Sequence, residues 1–157
     1  MRLLGTGVVI GGLAAMVLAG CATGQMAARK PEEVVAERQR LMKLHGALWK
    51  DIQDKAKAGN VEAIAVNAEA LALNAPRIPS LFPEGTMTEK SKAKPEIWQK
   101  WPEFEKAAMN LKMESEKLRD TAKTKDANAT QAVMKSFGKN ACGTCHQPFR
   151  VPPPKQG

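Results

Sequence analysis

Tyrosine is absent from this sequence, and aromatic residues make up only 4 % of its 157 positions. Runs of alternating Val, Ile and Thr are missing as well, so the pattern of half-buried strands is not there. Cysteine is scarce: there are three, at positions 21, 142 and 145. Apart from one stretch at the N-terminus, no segment is apolar enough to cross a bilayer. Internal repeats and low-complexity segments are lacking too. What remains is rich in Ala, Lys, Glu, Leu and Met, which favour helix over sheet. The length suits one domain of ordinary size, and the fold class expected is all-α.

The N-terminal stretch reads as a targeting segment. Arg2 supplies a positive charge, Leu3 to Leu18 are Gly- and Leu-rich and apolar, and Leu18-Ala19-Gly20-Cys21 resembles a bacterial lipobox. Cleavage before Cys21 and acylation of its thiol would leave the protein lipid-anchored to a bacterial membrane and facing the periplasm. On this reading residues 1–20 are a lipoprotein-type signal peptide, 21–30 a tether, 31–150 the domain and 151–157 a C-terminal tail. Two alternatives are an uncleaved membrane anchor, since roughly 18 apolar residues just span a bilayer, and an ordinary signal peptide with an incidental Cys21.

Formal charge is +8, and +7 once Arg2 leaves with the leader. A solvated helical surface accounts for this. A mildly basic face that docks an acidic redox partner, or lies near anionic lipid, is the functional alternative. No nucleic-acid-binding motif is recognisable, so no nucleic acid partner is expected.

Apolar spacing then divides the chain into helices. Pro31-Glu32-Glu33 suits a first turn, and Val34, Arg38, Leu41, Met42, His45, Leu48, Trp49 and Ile52 form one inward stripe ending near Gly59-Asn60. Val61, Ile64, Ala68 and Leu71 mark a second, shorter helix that stops before Pro76. From Asn74 to Pro95 the prolines forbid a continuous helix. A loop of that length is unusual in a small domain, and this one is expected to pack over the end of the bundle. Pro95-Glu96-Ile97-Trp98 reads as a helical turn. A third helix from near Pro102 carries Phe104, Ala108, Leu111, Ser115, Leu118 and Ala122. Asp126 is a good N-cap for a fourth, with Ala129, Val133, Phe137 and Ala141, ended by Pro148. Four helices with one long connection predict an antiparallel four-helix bundle.

At the end of the fourth helix stands Cys142-Gly143-Thr144-Cys145-His146. Two thiols three residues apart share a helix face, and the adjoining histidine reaches the same site. This CxxCH pattern attaches a c-type haem: the thiols form thioethers and His146 is the proximal iron ligand. A thioredoxin-like CxxC would need a strand-and-helix context that is absent here. A zinc site would have only His45 to complete Cys142, Cys145 and His146. With Cys21 assigned to lipid and the pair to one haem c per chain, no cysteine is left for a disulfide.

Haem attachment at the end of a four-helix pattern resembles the class II c-type cytochromes, above all the cytochrome c′ family. The resemblance spans Glu33 to Arg150. It rests on Arg38-Gln39-Arg40-Leu41-Met42-Lys43, on Lys94-Pro95-Glu96-Ile97-Trp98 with Phe104, and on Cys142 through Arg150. It implies that Arg38 and Gln39 lie near the haem propionates. An arginine on an apolar stripe needs such an anionic partner to be tolerated, unless Arg38 only rims the bundle and reaches water. It also implies that Met42 faces the distal side of the iron and that Arg150 flanks the proximal pocket, the alternative for Arg150 being a surface arginine. His45, one turn beyond Met42, departs from the apolar residue expected there. It is either hydrogen-bonded at the bundle edge or an iron ligand giving bis-histidine coordination. Trp49, Trp98, Trp101, Phe104 and Phe137 are expected to pack the haem or the core.

Two functions fit. In one, Met42 ligates the iron opposite His146 and the protein carries electrons to or from a redox partner. In the other, Met42 only packs over a pentacoordinate iron that binds nitric oxide or carbon monoxide. Electron transfer is the expected role. An enzyme is not expected, because no second His/carboxylate constellation accompanies the motif. The resemblance leaves a homodimer through the first two helices open.

Overall fold

Helix α1 (Pro31–Lys57) shows how closely local sequence sets the element ends. Pro31 lies in its first turn beside Glu32 and Glu33, where a missing N–H costs nothing and carboxylates oppose the helix dipole. It ends at Gly59, whose φ of 74° is open to glycine. Gly59 N–H donates to the Ala56 carbonyl at 3.1 Å and Asn60 N–H to that of Lys55 at 2.9 Å, a Schellman closure.

The computed structural model describes residues 29–153. The signal-peptide reading, Cys21 and most of the tether lie outside the described residues, as do 154–157. After α1 come α2 (Ile64–Asn74), a short α3 (Glu96–Gln99), α4 (Trp101–Lys123), α5 (Ala127–Phe137) and α6 (Thr144–Phe149). Helices α1, α2, α4 and the combined α5–α6 make the four-helix bundle. Among the described residues there is no strand, only one isolated antiparallel bridge, Ala93 with Arg150.

The core runs between α2 and α4, which pack closely together, with Ala65 and Ala68 buried on one and Ala107 and Ala108 on the other. Ile52, Ile64, Ile97, Phe104, Leu118 and Phe137 are almost completely buried around it. Each such side chain contributes about 1.5–3 kcal/mol. Polar groups join the helices at the edges. Asn67, buried on α2, donates to Asp51 Oδ2 at 2.7 Å and accepts from Lys55 Nζ at 2.6 Å, both on α1. Asp126 caps α5 by accepting from the Ala129 N–H at 2.9 Å.

The segment 74–95 packs on α1, α2 and α4 through two helical turns, and the fourth helix differs from the sequence reading. Turns of 3₁₀ helix at Ala75–Arg77 and Pro79–Leu81 bury Ile78 and Leu81 and carry the chain past the prolines. The fourth helix is not one α-helix, since Gly138–Gly143 is a π-helical segment joining α5 to α6. Pro148 lies inside α6, which stops one residue later at Phe149. Proline removes one N–H in a last turn that is already ending.

Candidate functional site

Along the bundle, α1 and α5–α6 do not pack backbone to backbone. Trp49 of α1 stacks on Phe137 of α5 with ring centroids 4.8 Å apart and planes 21° off parallel, which closes one end of the seam. Beyond this stack lies a cavity of about 560 Å³, within the ordinary range for cofactor sites. Val35, Leu71, Ile78, Ile97, Phe104 and Leu111 give it an apolar wall.

The CxxCH residues form one side of the cavity. Cys142, Cys145 and His146 all line it. The thiols are free and half-buried, and His146 sits exposed at the mouth. Burial and the neighbouring Cys142 push the Cys145 thiol up to about 11, and burial moves Cys142 in the same direction. Such thiols are poor redox nucleophiles. Among the described residues no three of His, Cys, Asp and Glu are grouped at metal-ligand spacing. Burial and the Arg150 charge both push the His146 ring downward, favouring the neutral imidazole that ligates metals.

The π-helical segment aims this motif. Widening the helix there shifts the register of the residues that follow, as π-bulges at functional sites do. Side chains gather on the carbonyl of Asn140: Asn110 Nδ2 of α4 donates to it at 2.5 Å and the Thr144 hydroxyl at 2.9 Å. The sequence reading missed Asn110. Its one signal is an amide breaking the apolar run of Ala107, Ala108 and Leu111.

Helix α1 forms the facing side with Arg38, Gln39, Met42 and His45. Met42 is half-buried and its thioether asks for no hydrogen bond. His45 Nε2 is buried and has no partner among the described residues, so the bundle-edge hydrogen bond expected for it is not formed by this atom. Burial, with a further push from the His146 charge, lowers its pKa to about 4.

Arg38 lines the cavity, and its partners within the polypeptide are neutral. It is 5 % exposed, which rules out the water-reaching alternative. Its guanidinium donates to the carbonyls of Leu81 and Thr86 and to the Thr86 hydroxyl, and lies 4.1 Å from the Phe82 ring centroid. Neutral acceptors and an aromatic face thus hold the charge within the polypeptide. Burial lowers its pKa to about 10, so it stays protonated at neutral pH. Thr86 and Phe82 belong to an irregular segment, and no sequence spacing relates them to Arg38. Gln39 is exposed and donates to the Lys90 carbonyl at 3.1 Å. Arg150, also exposed, lines the cavity beside His146, and its N–H donates to the His146 carbonyl at 3.1 Å. Lys43 and Lys92 are two further cations of the lining.

The residues present therefore fit a covalently held haem. Two thiols and an imidazole converge on an apolar cavity of the right size, with cations available for the propionates.

Residues 33–150 match the family model described as Cytochrome C′. Cytochrome c-554 of Cereibacter sphaeroides is 35 % identical over 75 residues, 46 % of this chain and 48 % of that protein. The chain thus spans about half the length of this curated relative. Cytochrome c′ from Thermochromatium tepidum is 27 % identical with a TM-score of 0.71, covering 80 % of this chain and all of that one. The nitric oxide complex of a leucine-to-isoleucine variant of cytochrome c prime from Alcaligenes xylosoxidans is 25 % identical with a TM-score of 0.68. It covers 78 % of this chain and 98 % of that chain. On the matched family model, the fold and the cavity built around CxxCH, the chain belongs to the cytochrome c′ family, whose members carry covalent haem c.

Proposed function

We propose that this protein is a monohaem electron carrier in which a donor from α1 closes the iron site opposite His146. When bound, haem c supplies a one-electron iron couple whose potential follows its axial ligands and surroundings. The protein's own residues do the rest. Cys142 and Cys145 hold the group through thioethers, and His146 presents its imidazole beside them. The aromatic and aliphatic wall excludes water. Lys43, Lys92 and Arg150 place positive charge on the lining. That charge suits the propionates and, at the surface, an acidic redox partner.

The observation that carries this reading is that α1 brings the thioether of Met42 to the lining of the cavity that His146 shares. Met42 is the donor that the family pattern nominates. No Asp or Glu lines the cavity, which argues for a carrier in preference to an enzyme that works by acid–base chemistry. The lipobox at Cys21 supports a lipid-anchored protein on the periplasmic side of a bacterial membrane. Among the described residues no helix is long and apolar enough to cross a membrane.

A second reading, binding of nitric oxide or carbon monoxide at an open iron, is favoured by the nitric oxide complex of the Alcaligenes relative. An absorption spectrum of the reduced holoprotein, with and without carbon monoxide, separates the two. An electron carrier closed from α1 is low-spin with a sharp α-band and takes carbon monoxide slowly or weakly. A high-spin spectrum with rapid carbon monoxide uptake overturns the carrier reading in favour of gas binding.

A further inference from the structure

Gly46 stands well inside α1 and lines the cavity. Glycine is a poor residue in a helix interior, because it gives up more backbone freedom than alanine and leaves the helix less stable. No turn requires it here: among the described glycines only Gly59 and Gly85 have positive φ. Close packing does not require it either. Beyond its own turn of helix, a Cβ at this position would meet no described atom of the polypeptide within 4 Å. The glycine therefore weakens α1 with no compensation from the polypeptide. What lies over it is the cavity that Cys142, Cys145 and His146 share. Met42, four residues earlier, and Trp49, three residues later, line the same cavity.

We propose that Gly46 is the clearance that seats the edge of the haem ring against α1, so that the Met42 sulfur reaches the iron. The proposal rests on the carrier reading above, and it names the residue that lets α1 close the site. A methionine side chain is short, so a sulfur–iron bond holds the backbone of α1 close over one face of the ring. Residues four apart share a helix face. One helical turn rises about 5.4 Å, less than the breadth of a haem ring. The positions one turn either side of Met42 therefore fall over the ring's periphery. On one side stands Arg38, whose guanidinium is anchored to Leu81 and Thr86. On the other stands Gly46, where a side chain would fill the gap and push helix and ring apart. Gly46 is thus a positioning residue, acting on the iron through Met42.

The test uses purified holoprotein and the variants Gly46→Ala and Gly46→Leu. Ala47→Leu is the control, at the neighbouring exposed position outside the cavity lining. The measurements are the near-infrared band of methionine sulfur ligation in the ferric form, carbon monoxide uptake by the ferrous form, and the urea midpoint. The parent should show the band and take up carbon monoxide slowly. Gly46→Ala should weaken the band and Gly46→Leu abolish it, with uptake several-fold faster than the parent's. Gly46→Ala should also lack the rise in urea midpoint that alanine brings at an open helical site. Ala47→Leu should keep the parent's band and uptake. A Gly46→Ala protein with a raised midpoint and an unchanged band would overturn the proposal, because the space over Gly46 would then hold only solvent. Gly46→Ala alone decides the matter if Gly46→Leu does not fold. A parent without the band overturns closure by Met42 itself, and the proposal with it. A parent that has the band, with Gly46 variants that match it, overturns the proposal alone.

Discussion

The guanidinium of Arg38 lies 4.1 Å from the centroid of the Phe82 ring, while its N–H groups reach the backbone on either side of that residue, at Leu81 and Thr86. One side chain of α1 thereby clasps the segment that walls the cavity. Trp98 supports the clasp by donating from Nε1 to the Phe82 carbonyl at 2.9 Å. Removing the guanidinium strands two buried carbonyls, each costing about 1–3 kcal/mol. Arg38→Ala should lower stability by about 3 kcal/mol, read from urea denaturation midpoints. Arg38→Lys should recover only a small part, because an ammonium has no planar fork. A loss below about 0.5 kcal/mol, the size of an ordinary surface substitution, would show that the clasp is unimportant.

Asn110 is the corresponding tie for the haem-binding motif. Asn110→Leu keeps the branched shape of the side chain and deletes the donor to Asn140. A loss of about 1 kcal/mol is expected, the net worth of one such hydrogen bond. Amide hydrogen exchange across 138–145 should speed up more than elsewhere. Uniform exchange across the molecule would mean that Asn110 does not hold the π-helical segment.

Covalent attachment is checked on a denaturing gel. The parent should keep haem-dependent peroxidase stain after unfolding, because thioethers survive where iron ligation does not. Cys142→Ser combined with Cys145→Ser should abolish it. Retention of stain by the double variant would refute attachment at this motif.

Acid should loosen the join between α1 and α2. Hydrogen bonds from Lys55 and then Asn67 hold the Asp51 carboxyl below its ordinary 3.8. A carboxylate with a depressed folded pKa adds stability above its unfolded value and loses it as pH falls through the folded one. Melting temperature should therefore fall below about pH 3.8 in the parent, and Asp51→Asn should flatten that part of the profile. Identical acid limbs in the two proteins would remove Asp51 from the account.

Lipid anchoring is tested by cell fractionation. Cys21→Ser should release a soluble domain with an unchanged spectrum, since each buried acyl CH₂ contributes about 0.8 kcal/mol to membrane binding. Equal membrane association of the variant would point to an uncleaved N-terminal helix.

Local chemistry determined much of this protein from sequence alone. Proline and acidic residues started α1, glycine at positive φ ended it, Asp126 capped α5, and the apolar spacing set four helices of a bundle. The CxxCH motif named the haem because its thiols and imidazole are neighbours in the chain. Tertiary structure decided what depends on partners distant in sequence. Arg38 found Leu81 and Thr86 more than forty residues away, because the prolines of that segment turn it alongside α1 and free its carbonyls for a buried donor. The π-helical segment at Gly138–Gly143 receives a hydrogen bond at Asn140 from Asn110 of another helix. The isolation of His45 Nε2 is the clearest case, since a helical stripe reveals which way a side chain faces, but only the assembled bundle shows that no acceptor among the described residues meets it.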